Sequence, residues 1–193
     1  MKTNRIICFL GLVTAVILLT SSQGWAQLFN YDKGPTKPGT HAPTITHYFA
    51  VDKGYYGSIW KIYLEAEDPD SDMLRIAVDV DQPGVGHYPA HWTVIRPEFK
   101  KHFKGYLQWN TRSTKTEYMP EWTEITVKVS ILDKAGNWSN EVVFPFTFET
   151  GVTDPYGFRP PPPFDQGDLP RIGYIGTELY SPTSMGDGGN DRD

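Results

Sequence analysis

In the stretch 66–81, AEDPDSDMLRIAVDVD, the acids Glu67, Asp68, Asp70 and Asp72 crowd together before an abrupt switch to apolar alternation. Calcium takes several oxygen ligands, and carboxylates at alternate positions of a tight loop can converge on one ion. Asp68, Asp70 and Asp72 have that spacing. If the strands alternate up and down, the loop carrying Asp133, Asn137 and Glu141 reaches the same end of the domain. For these acids the expectation is either no cofactor or calcium. An EF-hand is excluded, because its glycine position falls on Met73, its closing glutamate position falls on Asp79, and both flanks read as strands. The competing reading is a solvated turn, since Asp-Pro and Ser/Asp clusters bond back to their own backbone. Arg96, Lys100 and Lys101 come to that end as counter-charges.

Other residues offer weaker chemistry. His87 and His91 are four apart; Pro89 between them denies the helix that would aim both at one zinc, while on an extended chain the pair can share a sheet face and form a surface zinc or copper site. Trp122 and Trp138 sit at strand edges, where flat rings can stack on a sugar or a protein partner. Trp60 and Trp109 lie on apolar alternations and read as core. Asn137-Trp138-Ser139 matches a glycosylation acceptor by formula only. No G-x-S-x-G, H-E-x-x-H or Gly-rich phosphate loop is present, and the paired carboxylates lie in a solvated loop. The expectation is a protein that is not an enzyme. Near the C-terminus Ile172, Tyr174, Ile175, Leu179 and Tyr180 are too apolar for a linker and too few to fold alone. They are expected to dock as an added strand or clasp, on this chain's own sheet edge or on a partner.

The elements that must position these residues are strands. Alternation marks them at Thr44–Ala50, Ser58–Ala66, Leu74–Val80, His91–Ile95, Phe103–Trp109, Glu124–Leu132 and Glu141–Phe148. Trp60, Ile62, Leu64 and Ala66 share one face, as do Leu74, Ile76, Val78 and Val80. The same holds for Ile125, Val127, Val129 and Ile131, and for Val142, Phe144, Phe146 and Phe148. One helical turn is expected in 97–103. About seven short strands separated by turn signals predict an all-β, antiparallel β-sandwich, with a barrel as the minor option.

The N-terminal 26 residues stand apart. Lys2 and Arg5 precede an apolar run from Ile6 to Leu19, and Gly24-Trp25-Ala26 offers a small-residue cleavage site, the pattern of a signal peptide. The run is too short for a membrane span of about 20 apolar residues. Cleavage removes Cys8, the only cysteine, so thiol catalysis, disulfides and zinc-cysteine sites are excluded from the mature chain. Removing Lys2 and Arg5 from 18 basic residues leaves 16 against 23 acidic ones, a net charge of −7. That charge leaves no basic stripe for nucleic acid or anionic lipid.

AEDPDSDMLRIAVD (66–79) resembles the A-x-D-P-D-x-D-x-L stretch of Ig-like, PKD-like and cadherin-like extracellular modules. ITVKVSILDKAGNWSNEVVFPFTF (125–148) resembles their closing hairpin, a strand running into D-x-A-G-N and a final strand. Where such modules carry glycine after the second aspartate, this chain has Ser71. The resemblance implies an Ig-like sandwich, a fold that serves adhesion, spacing, binding and assembly alike.

The resulting plan is a signal peptide at 1–26, a linker at 27–40, the Ig-like sandwich at 41–150, and a Pro/Gly-rich tail at 151–193. The tail is expected to be mostly disordered, with Pro160–Pro163 as a polyproline rod and a short apolar segment at 169–182. The functional expectation is an exported protein-interaction or assembly module: periplasmic, cell-surface or secreted. Its partner would be another envelope or extracellular protein, or a glycan. The alternatives are a carbohydrate-binding module and a calcium-dependent adhesion or spacer module.

Overall fold

A computed structural model describes residues 35–151 and 159–182. The expected signal peptide, most of the linker that follows it, residues 152–158 of the tail, and the acidic end after 182 lie outside the described residues. Among the described residues, no helix is long and apolar enough to cross a membrane.

Among the described residues ten strands form: β1 (Thr44–Phe49), β2 (Lys53–Gly54), β3 (Ile59–Glu67), β4 (Met73–Gln82), β5 (Gly86–His87), β6 (His91–Val94), β7 (His102–Asn110), β8 (Glu124–Asp133), β9 (Val142–Phe148) and β10 (Arg171–Ile175). The seven expected strands are all among them, with ends within two residues of those read from alternation. The expected helical turn is a 3-10 turn at Pro97–Phe99. One sheet has the order β1-β3-β7-β10; the other has the order β2-β9-β8-β4-β5, with β6 also on β4.

The core lies between the sheets. Trp60, Ile62 and Leu64 of β3 face Ile76, Val78 and Val80 of β4, Val127 and Val129 of β8, and Phe144 and Phe146 of β9, all buried. Trp60 packs its ring 4.5 Å from Phe146 and 6.1 Å from Trp109. Its indole N–H, which must find a partner inside, donates to the Val51 carbonyl at 2.9 Å. One position departs from strict alternation. A register shift between Met73 and Arg75 turns Met73 into the core and leaves Leu74 half-buried, as a bulge does.

In an immunoglobulin constant domain, strands A, B, E and D share one sheet and C, F and G the other. Here β1, β3 and β7 take the places of A, B and E, and β4, β8 and β9 those of C, F and G. The place beside β7, where D would lie, is filled by β10, which pairs with β7 in parallel. The sandwich is therefore mixed rather than wholly antiparallel, and β2 also pairs in parallel with β9. The cause is the path of the chain. It leaves β9 at the end opposite the aspartate loop, and a long crossover lets it re-enter the sheet alongside β7. The other edge of this sheet is blunted: the Asn140 side-chain amide brackets Ile45, accepting from its N–H at 2.8 Å and donating to its carbonyl at 3.1 Å.

Residues 159–182 thus belong to the sandwich, which does not end at 150. Ile172, Ile175 and Leu179 are buried in the shared core. Each such side chain contributes about 1.5–3 kcal/mol on burial. Pro160–Pro163 leads into a turn, with the Phe164 N–H donating to the Pro161 carbonyl at 2.9 Å, and Phe164 itself is buried.

Two glycines make this docking sterically possible. A Cβ on Gly105 would sit 2.3 Å from the Pro170 carbonyl oxygen, and one on Gly173 would sit 2.2 Å from Cγ2 of Thr93. Thr93 lies on β6, and its hydroxyl donates to the Tyr174 carbonyl at 3.2 Å. β10 therefore bridges the open edge between the two sheets. Beyond it, Thr177 accepts the Trp109 indole N–H at 3.1 Å, and a Glu178 carboxylate oxygen accepts from the Ser113 hydroxyl and the Thr114 N–H. Tyr180 stacks on Tyr88 at 6.3 Å.

Candidate functional site

The β3–β4 turn and the β8–β9 turn do share one end, where Met73 pairs with Asp133 and the Lys134 N–H donates to the Asp72 carbonyl. Each acid there has a different task. Asp68 is buried, and its two carboxylate oxygens accept the N–H groups of Asp70 (2.9 Å) and Asp72 (3.1 Å), the local bonding expected of an Asp-Pro turn. Asp133, also buried, accepts the Asn137 N–H and side-chain amide, both at 2.7 Å. Asp70 faces outward and binds the incoming N-terminal segment through the His41 N–H (2.6 Å) and imidazole (2.9 Å). Asn137 holds the same segment, accepting from the Lys37 N–H and donating to the Thr40 hydroxyl.

Asp72 is the exception. Its Oδ1 is buried with no hydrogen-bond partner, and burial, with Asp68, Asp133 and Asp70 nearby, pushes its carboxyl above the ordinary value. Among the described residues, no three His, Cys, Asp or Glu side chains are arranged to hold a metal ion. His87 and His91 lie on different short strands, and the His87 ring pairs with Asp81 at 2.8 Å. Ser71 adopts φ of 61°, the left-handed conformation that glycine takes without strain.

Trp122 and Trp138 are not brought together. Trp122 lies at the end where its N–H bonds Phe148, whereas Trp138 bridges to Leu132 beside the aspartate end. The neighbour of Trp138 is Trp92 of β6, with ring centroids 5.8 Å apart and planes at 47°. The Arg75 guanidinium lies 5.0 Å from the Trp92 ring. These residues form part of the outer face of the six-stranded sheet. Ala77 and Ser130 also point outward there, yet are buried, so this pair of indoles is the large mass over small floor residues. Val94, at 72% exposure, and Val143, at 47%, extend the apolar surface. The rim is charged. Asp81 binds Lys128 at 3.0 Å, and burial raises the Asp79 carboxyl, with Glu141 and Asp81 adding to the rise against His87 and Lys128.

The outer face of the four-stranded sheet carries a second aromatic group. Tyr63 of β3 and Tyr106 of β7 are register partners with rings 5.8 Å apart, and Phe164 lies 5.6 Å from Tyr63. Burial, with Tyr106 beside it, raises the Tyr63 phenol above its usual value. Lys61 Nζ lies 4.7 Å from the Tyr106 ring centre. Between these rings and the 159–169 segment is a cleft of about 260 Å³.

In the docked C-terminal segment, Ile172, Ile175 and Leu179 face the core, whereas Tyr174 is 54% exposed under the Arg171 guanidinium, 4.1 Å away. The alternation that located the core also places Lys61, Tyr63 and Tyr106 outward, so both aromatic faces had a signal in the sequence. Trp92 had one too, as an indole on a strand whose next residue turns inward.

No family model matches the chain, and no curated protein matches it. Among solved structures it is similar to the PKD domain of an M14-like peptidase from Thermoplasmatales archaeon SCGC AB-540-F20. Identity is 12%, the match covers 56% of this chain and 97% of that one, and the TM-score is 0.38. It is also similar to the CARDB domain of the PF1109 protein of Pyrococcus furiosus, at 11% identity, 62% and 99% coverage and a TM-score of 0.33. Both are Ig-like β-sandwich modules, and the likeness is one of fold alone.

Proposed function

We propose that the chain is an exported, non-enzymatic interaction or assembly module of the cell envelope or extracellular space, and that it meets a protein partner through the outer face of its six-stranded sheet. The observation that carries this reading is the Trp92–Trp138 pair with Arg75, continued by Val94 and Val143. Aromatic and arginine residues at the centre of a patch with a charged rim are the composition of protein interfaces. Large apolar side chains left exposed on one sheet face are the mark of an interaction site. The acidic loop supports the non-enzymatic part, since Asp68, Asp70 and Asp133 are occupied in holding turns and the N-terminal segment. Export rests on the N-terminal charge-apolar-small pattern and on a mature chain without cysteine.

The test is site-specific photo-crosslinking in the producing cell, with a photoreactive residue at Val94, at Val143 or at the exposed control Glu117. The expected result is one discrete adduct from the first two positions, lost on Trp92→Ala. Identical adducts from all three positions, or none from the sheet face, would overturn the reading.

A further inference from the structure

The cleft on the opposite face has a different chemistry. Its floor is Tyr63 and Tyr106, one wall is Phe164, and its mouth is ringed by Lys61, Arg159, Asp165 and Asp168. We propose that it is a binding site for a neutral sugar ring, one pyranose unit of a glycan.

Three features argue for that ligand class. The first is shape: about 260 Å³ lies just under the range of about 300–1,000 Å³ typical of small-molecule pockets. One ring fits, whereas a folded peptide segment does not. The second is the floor. Tyr63 and Tyr106 present ring surface and phenol oxygens together, so the apolar side of a pyranose can lie on the rings while its hydroxyls reach polar groups. Neither phenol oxygen has a hydrogen-bond partner among the described residues. The third is the charge pattern. Two cations and two carboxylates ring the cleft, and among the described residues Arg159, Asp165 and Asp168 make no ion pair or hydrogen bond with one another or with anything else.

An anionic ligand would meet Asp165 and Asp168, and a cationic one would meet Lys61 and Arg159. A neutral, hydroxyl-rich ring satisfies both signs, donating to the carboxylates and accepting from the cations. The cleft exists only because the chain after 159 returns across the sheet, so the docked C-terminal segment builds this site as well as closing the sandwich edge.

The test uses the purified full chain and amide NMR with three neutral hexasaccharides, of glucose, mannose and N-acetylglucosamine, at millimolar concentration. The expected result is saturable shifts at Tyr63, Tyr106, Phe164 and Gly167 with at least one of them. Lys61→Ala combined with Asp168→Ala removes one charge of each sign, together with the ammonium beside the Tyr106 ring, and should weaken that binding about tenfold, with the unliganded spectrum unchanged away from the cleft. Tyr106→Ala should abolish it. Trp92→Ala should leave it intact, which separates this site from the proposed protein-contact face. The proposal is overturned if none of the three sugars shifts these residues, or if the shifts map to Trp92 and Trp138. It is equally overturned if a polyuronate binds the cleft in place of the neutral sugars, or if the charge substitutions leave affinity unchanged.

Discussion

Gly105→Ala is the sharpest probe of the C-terminal clasp. The new methyl carbon would lie 2.3 Å from the Pro170 carbonyl oxygen and 2.7 Å from Cδ1 of Ile172, where ordinary contact begins near 3.4 Å. The side chain of Ile172 can turn aside, but a backbone oxygen cannot. The start of β10 must therefore lift by about an ångström. Overpacking of this kind costs about 1–3 kcal/mol. Lifting Pro170 also breaks the bond its carbonyl accepts from the Tyr106 N–H at 3.1 Å, worth about 0.5–1.5 kcal/mol. Together these predict a loss of about 1.5–4.5 kcal/mol, or roughly 5–15 °C in Tm for a body of this size. The assay is a thermal melt paired with hydrogen exchange. Amides at 171–175 should exchange faster in the variant, while those of the buried β4–β8 pairing stay protected. Gly151→Ala, with nothing within 4 Å of the new carbon, serves as a control and should shift stability by less than about 0.5 kcal/mol. An unchanged melt with full protection of 171–175 in Gly105→Ala would refute the clasp.

Further outcomes follow from the same contacts. Tyr88→Phe should cost about 1–3 kcal/mol, because the hydroxyl both donates to Gln82 Oε1 and accepts the Tyr180 N–H; chemical denaturation reads it. Ser71→Gly should stabilise by about 1 kcal/mol, since only the left-handed φ at that turn opposes a side chain, and a neutral or destabilising result would count against the turn geometry. For Asp72 the folded-state pKa is raised, so its burden on stability is greatest at neutral pH. The burden fades as pH falls through that raised value and is gone below the unfolded carboxyl's pKa. Asp72→Asn should therefore be the more stable protein at neutral pH, by less than about 1 kcal/mol given solvent screening, with the gap closing on acidification in paired melts. Chelator-treated protein should melt at the same temperature with added calcium as with equal magnesium, because the oxygens of Asp68 and Asp133 already accept N–H groups; a calcium-specific rise would instead place an ion at Asp72.

Strand positions and core faces were legible because β alternation is a local property. Trp60, Ile62 and Leu64 could face only one way once the period was recognised. The face of Leu74 was misjudged because a bulge shifts the register without changing the composition that announces a strand. The acidic loop was legible as a loop, but its spacing could not say which oxygens were already taken. Asp70 turned out to hold His41, a residue read as part of the sandwich's beginning rather than as a partner of the turn. The paired indoles illustrate the same limit. Trp138 was visible, but its neighbour Trp92 comes from a strand far along the chain, and pairing across β4 decides their meeting. The tail's apolar residues suggested docking, while the fit was written as two absences of side chain, at Gly105 in the receiving strand and Gly173 in the segment itself, which no hydrophobic pattern displays.

β10 is the outer strand of its sheet, and its parallel pairing with β7 joins segments some sixty residues apart in the chain. Ile172 and Leu179 reach the core only once 171–179 has returned to the sheet, a contact of long sequence separation that is slow to form. A chain cut short before that point would keep an open sheet edge and an incomplete core, both targets for proteolysis and misassembly. One returning segment thus both completes the core and covers β7.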